Sequence, residues 1–254
     1  MVRRGIASLE GCPARVGIMG GEPCLHPKFR EILAITREMI PDKRRREFWT
    51  SGFKWEEYKD DILETFDEDR ISFNDHRQLT GKHQPLLVAI EEVIKDPQLR
   101  KILIDNCPFQ ARWSASITPK GAFFCEVAAS LDWLFDGPGG YLVEPGWWNK
   151  TPDQFQDQVG RYCGKCSGAI PMPAYSDERG GRDGPTTDIA SPLNLERLLN
   201  VRSPKAMRGF VKVWDSEITK EDIDKNSVNW KPRSFRDFVA HTPEDVYKAL
   251  SCCK

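Results

Sequence analysis

The sequence predicts an α/β protein with parallel strands, followed by a small cysteine-rich α+β extension. Two observations carry this. Short apolar runs at 16–19, 47–50 and 70–73 each end in glycine or polar residues, and each is followed by a segment with apolar residues at three-to-four spacing. Strand then amphipathic helix, repeated, is the pattern of a parallel sheet. After residue 106 the pattern gives way to a hairpin and paired cysteines.

Composition narrows the class. The 254 residues carry 37 Lys and Arg against 38 Asp and Glu, a balance that argues against a nucleic-acid or acidic-membrane partner. The apolar runs are too short to span a bilayer, and residues 1–5 lack a secretory apolar region, so the cytoplasm is the expected location. Eight cysteines in such a chain point to metal or redox chemistry rather than a disulfide framework.

Taken in order, Val16, Ile18 and Met19 read as a buried strand that breaks at Gly20-Gly21. A helix over 26–40 follows, with Pro27 at its first position and Leu25, Phe29, Ile32, Leu33, Thr36 and Met39 on one face. Glycines let the main chain approach a ligand closely, and Glu22 can accept hydrogen bonds from an ammonium group. Lys43-Arg44-Arg45-Arg46 reads as a solvated connection. The strand over 47–52 ends at Thr50-Ser51-Gly52, and the next helix spans 54–66. The strand over 70–76 runs into polar groups at its C-terminal end. Ligands of open α/β sheets and barrels bind at the carboxyl ends of the strands, which puts Glu22, Ser51, Asn74 and His76 on one rim. His76 and His83 have no second ligand at a recognisable spacing and read as surface or capping residues, with substrate contact the preferred role if His76 acts.

A helix is expected from Pro85 to the closing pair Asp96-Pro97, then a short helical turn over 99–104. A hairpin pairs 113–117 with 122–125 around Pro119-Lys120-Gly121, and a helix over 152–162 leads into Cys163-Gly164-Lys165-Cys166. Cys107, Cys125, Cys163 and Cys166 form a four-thiolate set. The Cys-Gly-Lys-Cys pair is the stronger half, because a glycine knuckle lets both sulfurs face one ion or cluster. Structural zinc, unligated buried thiols and an iron–sulfur cluster are the competing readings. Residues 167–192 read as an extended connector, 193–199 as a short helix, 209–214 as a strand, and Thr242-Pro243 as the start of a last helix. Cys252 and Cys253 read as incidental.

Gly20-Gly21-Glu22-Pro23, followed by Leu25-His26-Pro27 and Phe29, resembles the second-strand motif of radical S-adenosylmethionine (SAM) enzymes. The resemblance implies that Gly20, Gly21, Glu22 and Pro23 hold the amino group of the SAM methionine moiety. It also implies a cofactor-side position for Ser51, where the family has asparagine, and ribose contacts from Ser72 or Asn74. The cysteine, hairpin, cysteine, Cys-x2-Cys order is similar to the SPASM or twitch extension of that family. One residue fewer after Gly121 and the lack of later cysteines favour a single auxiliary [4Fe–4S] cluster, twitch-like, on Cys107, Cys125, Cys163 and Cys166.

The fold so implied is a partial, incomplete parallel β/α barrel over 1–105, a cluster-binding extension over 106–170 and a loop-rich region over 171–254. The family activity is reductive cleavage of SAM to a radical that takes hydrogen from substrate. The Cys-x3-Cys-x2-Cys loop that binds the SAM cluster is absent from this sequence, so a truncated or degenerate relative, inactive alone, is expected, with truncation favoured because the later motifs are intact. Implied partners are a small-molecule, sugar or peptide substrate and a reductant protein. The aromatic stretch 133–148 either contacts such a substrate or packs around the cluster. The alternative is a non-enzymatic binding protein with a structural four-cysteine zinc site.

Overall fold

The computed structural model describes residues 1–73, 82–83, 85–109, 115–172, 175–176 and 187–227. They divide into two units, one within 1–78 together with 144–146, the other within 79–143 and 147–232. Both are mixed α/β with small parallel sheets, and no closed barrel forms among the described residues. Nor is any helix among them long and apolar enough to cross a membrane.

The first unit runs α1 (Val2–Ala7), β1 (Val16–Ile18), α2 (Phe29–Met39), β2 (Arg46–Thr50), α3 (Trp55–Thr65) and β3 (Ile71–Phe73). The three strands form a parallel sheet in sequence order, with Ile18 opposite Phe48 and Thr50 opposite Phe73. Strand alternation sends Phe48, Ile71 and Phe73 to the face where Phe29 and Leu33 of α2 meet Trp55 and Ile62 of α3. Aromatic contact dominates this core: Phe48 stacks on Phe66 with ring centroids 5.2 Å apart, and Trp55 meets Phe73 edge-on at 4.7 Å.

Three expectations change here. β1 lies at the sheet edge and is only half-buried, and Met19 is exposed, because the helices cover one face. Pro27 falls in a turn before α2, whose N-cap is Lys28, and Leu25 stands in solvent after a 3-10 turn over Pro23–Leu25. The basic run is solvated only in part. Arg44 is outward, but Arg46 is buried in β2 and donates to the carbonyls of Ile40 (2.7 Å) and Thr65 (2.9 Å), and more weakly to Pro41 and Arg37. These are carbonyls at the C-terminal ends of α2 and α3, which a helix cannot satisfy itself.

The second unit runs β4 (Lys82–His83), α4 (Ile90–Val93), α5 (Pro97–Asp105), β5 (Ser116–Thr118), β6 (Gly121–Phe123), α6 (Glu126–Leu134), α7 (Gln156–Tyr162), β7 (Tyr175–Ser176), β8 (Asp188–Ala190), α8 (Pro192–Asn200), α9 (Pro204–Met207), β9 (Val211–Val213) and α10 (Lys220–Ser227). β4 pairs antiparallel with β7, β5 with β6 as the expected hairpin, and β8 parallel with β9. The unit boundary falls before residue 79 rather than at 105, because Val88, Ile90, Val93 and Ile94 share a core with Cys107, Ile170 and Ile223.

The helix expected from Pro85 shrinks to α4. Leu87 bridges to Ala190, Ser191 donates its N–H to the Leu87 carbonyl, and the Ala89 N–H donates to the Ser191 hydroxyl. Long-range pairing has taken the backbone groups that a local helix would use. Asp96-Pro97 opens a helix instead of closing one: the Asp96 carboxylate accepts from the N–H groups of Gln98 and Leu99 and Pro97 takes the first position of α5. The helix α6 is not among the elements expected from the sequence.

Candidate functional site

Two places bring sequence-selected residues together, one in each unit. In the first, the loop after β1 carries Gly20, Gly21, Glu22 and Pro23 to the C-terminal end of β2. Oε1 of Glu22 accepts from the Cys24 N–H (3.1 Å) and the Thr50 hydroxyl (2.8 Å); Oε2 accepts from the Ser51 N–H (2.7 Å) and the Ser51 hydroxyl (2.5 Å). A carboxylate has about four acceptor positions, so this one is filled by its own strand ends. Partial burial pushes the Glu22 carboxyl up, but the Ser51, Thr50 and Cys24 donors outweigh it and hold it below the usual value. The same burial, with the Glu22 charge beside it, pushes the Cys24 thiol up to about 12.

An ammonium group would therefore have to displace one of these four donors. Gly20 and Gly21 are exposed, and a Cβ on either would meet open space, so nothing in the fold itself requires glycine there. Ser72 is buried on β3 in register with Trp49, whose ring lies beside Gly17. Asn74 and His76 lie outside the described residues, as do Cys252 and Cys253, and the side chain of His83 is likewise not described. Replacing Glu22 with glutamine turns an acceptor pair into a mixed group facing four donors. We expect a loss of about 1–3 kcal/mol of stability, read from urea unfolding, and no loss would show the tie to be idle.

In the second unit the four cysteines line one cavity. Cys107 follows α5 and donates its N–H to Ile104; Cys125 is the N-cap of α6; Cys163 follows α7 directly; Cys166 ends the glycine knuckle. The sulfurs reach the same space from three places: the end of α5, the start of α6 and the knuckle after α7. Gln158 of α7 fixes the β6 end that leads to Cys125: its Oε1 accepts from the Phe124 N–H and its Nε2 donates to the Ala122 carbonyl, both at 3.1 Å. The cavity is narrow, with about 30 Å³ open to the centre of a water-sized sphere, and its remaining walls are chiefly apolar, including Phe109, Phe124, Val127 and Leu131.

Burial pushes the thiols of Cys125 and Cys163 up, to about 11 and about 12, and raises Cys166 as well. The other cysteines add to the rise at Cys163 and Cys166, which marks all four as electrostatic neighbours. Backbone N–H groups act the other way. Those of Ala128 and Val127 favour the Cys125 thiolate, and the Gly168 N–H donates to the Cys166 sulfur at 3.0 Å. A Cβ at Gly168 would crowd that approach, standing 3.2 Å from the sulfur and 3.1 Å from the Phe109 ring. Metal loading at this place would release the thiol protons.

The donor set, four thiols on one cavity, is that of a thiolate-ligated metal group. Among the described residues no set of three or more His, Cys, Asp or Glu side chains closes on a point as a single ion requires. A zinc ion draws four sulfurs to about 2.3 Å from one centre. An iron–sulfur cluster stands as a larger body between its cysteines and needs a cavity. The six described cysteines form no disulfide.

Below the cavity lies a charged network that the sequence did not mark. Asp132 of α6 is fully buried, accepts from the Tyr162 hydroxyl and from the Gly139 N–H (2.9 Å), and lies 2.6 Å from Lys120 Nζ in the hairpin turn. It joins the hairpin to α6 and to the end of α7, next to Cys163. Gly137 and Gly140 permit this closure: a Cβ on Gly137 would stand 2.3 Å from Asp132 Oδ1, and one on Gly140 2.2 Å from the Ala122 carbonyl. The run Gly137-Pro138-Gly139-Gly140 was the available signal, and it reads locally as a turn. No family model and no curated protein matches the chain.

Proposed function

We propose that this chain is an iron–sulfur protein of the radical SAM type, with one auxiliary [4Fe–4S] cluster on Cys107, Cys125, Cys163 and Cys166 and a SAM contact edge at Gly20, Gly21, Glu22, Pro23, Ser51 and Ser72. The observation that carries it is the convergence of four cysteines, from three separate parts of the chain, on one largely apolar cavity. Support for SAM contact is narrower: a parallel sheet whose strand ends gather the Gly-Gly-Glu-Pro loop and Ser51 at one edge. Bound there, a cluster would supply one-electron chemistry. The chain's own part is to hold and shield it. Phe109 and Phe124 exclude water, and the Gly168, Ala128 and Val127 N–H groups stabilise thiolate charge. With no Cys-x3-Cys-x2-Cys in the sequence, the reading is cluster binding and SAM contact rather than radical generation by this chain.

The test is metal and sulfide content after purification without oxygen. About four irons with matching sulfide are expected, lost in Cys163→Ala and in Cys166→Ala. About one zinc without sulfide would replace this reading with a structural zinc module in a binding protein.

A further inference from the structure

The peptide between Cys163 and Cys166 is held from outside the knuckle. The Lys165 carbonyl accepts from Nδ2 of Asn194 at 2.9 Å, and the same Nδ2 donates to the Leu87 carbonyl at 2.7 Å. Asn194 sits in the first turn of α8 and is fully buried. Its two acceptors fix the amide's orientation, because turning it over would aim its oxygen at two carbonyls. Oδ1 then has no hydrogen-bond partner among the described residues. Leaving a buried amide oxygen in this way is costly, so packing alone would favour an aliphatic residue here. The donor accounts for the asparagine.

Further contacts hold the knuckle on the same side. The Ser167 hydroxyl donates to the Pro85 carbonyl at 2.7 Å, and a Cβ on Gly164 would stand 2.6 Å from Glu91 Oε2. The segment that receives these bonds is itself tied to α8 through Ser191, which bonds Leu87 and Ala89.

We propose that Asn194 is a positioning residue for the thiolate site, holding the Lys165 carbonyl so that the Cys163 and Cys166 sulfurs both face the cavity before metal arrives. This rests on the reading of the four cysteines as a metal site. It gives β8 and α8 a role in the metal centre that the cysteine spacing does not disclose.

The experiment compares the full chain, Asn194→Leu, and Ile189→Ala as a variant that weakens the same core. Each is reconstituted without oxygen with ferrous iron and sulfide, and iron loss to a chelator is timed. Asn194→Leu is expected to lose iron about tenfold faster than Ile189→Ala after correction for the fall in Tm, the scale typical of residues behind metal ligands. Equal rates would overturn the proposal, because loss would then follow stability alone. Asn194→Ser keeps one donor and is expected between the two; if Asn194→Leu does not fold, the serine variant decides on the same criterion. Should the unaltered chain take up no iron and sulfide, the cluster reading fails, and cadmium, read by its thiolate absorption, carries the comparison. Tenfold weaker cadmium binding in Asn194→Leu would still support the clamp. No cadmium binding by the unaltered chain would overturn both.

Discussion

Replacing Arg46 with methionine is expected to cost the first unit about 3 kcal/mol, read as a lower urea midpoint in tryptophan fluorescence. The side chain packs its stem into β2 while its guanidinium serves the carbonyls of Ile40, Thr65, Pro41 and Arg37. Methionine keeps much of the stem and removes every donor. The Ile40 and Thr65 carbonyls, which hold the two shorter bonds, each cost about 1–3 kcal/mol when left buried without a partner, and partial access of water keeps the total near about 3 kcal/mol. Burial, followed by the like charge of Arg37, already lowers the Arg46 pKa, so its charge is tolerated for its bonds. Arg46→Lys should fall between, since an ammonium cannot span both helix ends. Arg44→Met, at an exposed neighbour, should stay within about 0.5 kcal/mol of the unaltered chain. Equal effects at 44 and 46 would refute the clamp.

Asp132→Asn is expected to cost the second unit about 3 kcal/mol near neutral pH. Removing one partner of a buried pair leaves the other charge uncompensated, worth about 3–5 kcal/mol, and the partial exposure of Lys120 argues for the lower figure. The pH dependence has a definite sign. Burial pushes the Asp132 carboxyl up, but Lys120, Tyr162 and the Gly139 N–H outweigh it and leave it below its ordinary value. A carboxyl lowered in the folded state contributes stability above its unfolded pKa of about 3.9 and loses it as pH falls through the folded value. The gap between the unaltered chain and Asp132→Asn should therefore be widest above about pH 5 and should narrow below about pH 4. Thermal melts of both proteins across that range decide it. A constant gap would show that Asp132 contributes by shape rather than charge.

Local sequence made the first unit legible. Periodicity over 26–40 and 54–66 identified both amphipathic helices, found at Phe29–Met39 and Trp55–Thr65, and the apolar runs identified the three strands, because short-range pattern and burial agree there. Asp96-Pro97 shows the opposite case. A proline after an acid can end one helix or begin the next, and only the two N–H groups bonded to Asp96 decide between them. Leu86 to Ala89 have helical spacing and nevertheless form a turn and an isolated bridge, held by Ser191 and Ala190 about a hundred positions away. Of the candidate sites, the Cys-x2-Cys knuckle and the hairpin were visible as spacing. Cys107 and Cys125 were grouped with them from spacing and resemblance, while the cavity that all four line depends on where α5, β6 and α7 end.

By itself, the sequence determined the features that neighbours along the chain dictate: strand and helix alternation, the Gly-Gly-Glu-Pro loop and four cysteines at suggestive intervals. Tertiary structure decided which groups are satisfied and which are brought together. It filled the Glu22 carboxylate with donors from β2, buried Arg46 between two helix ends, and set Asn194 behind the knuckle. The physical reason is common to all of these. A buried polar group must find its partner wherever the packed chain puts one, and that distance is not written in the local pattern.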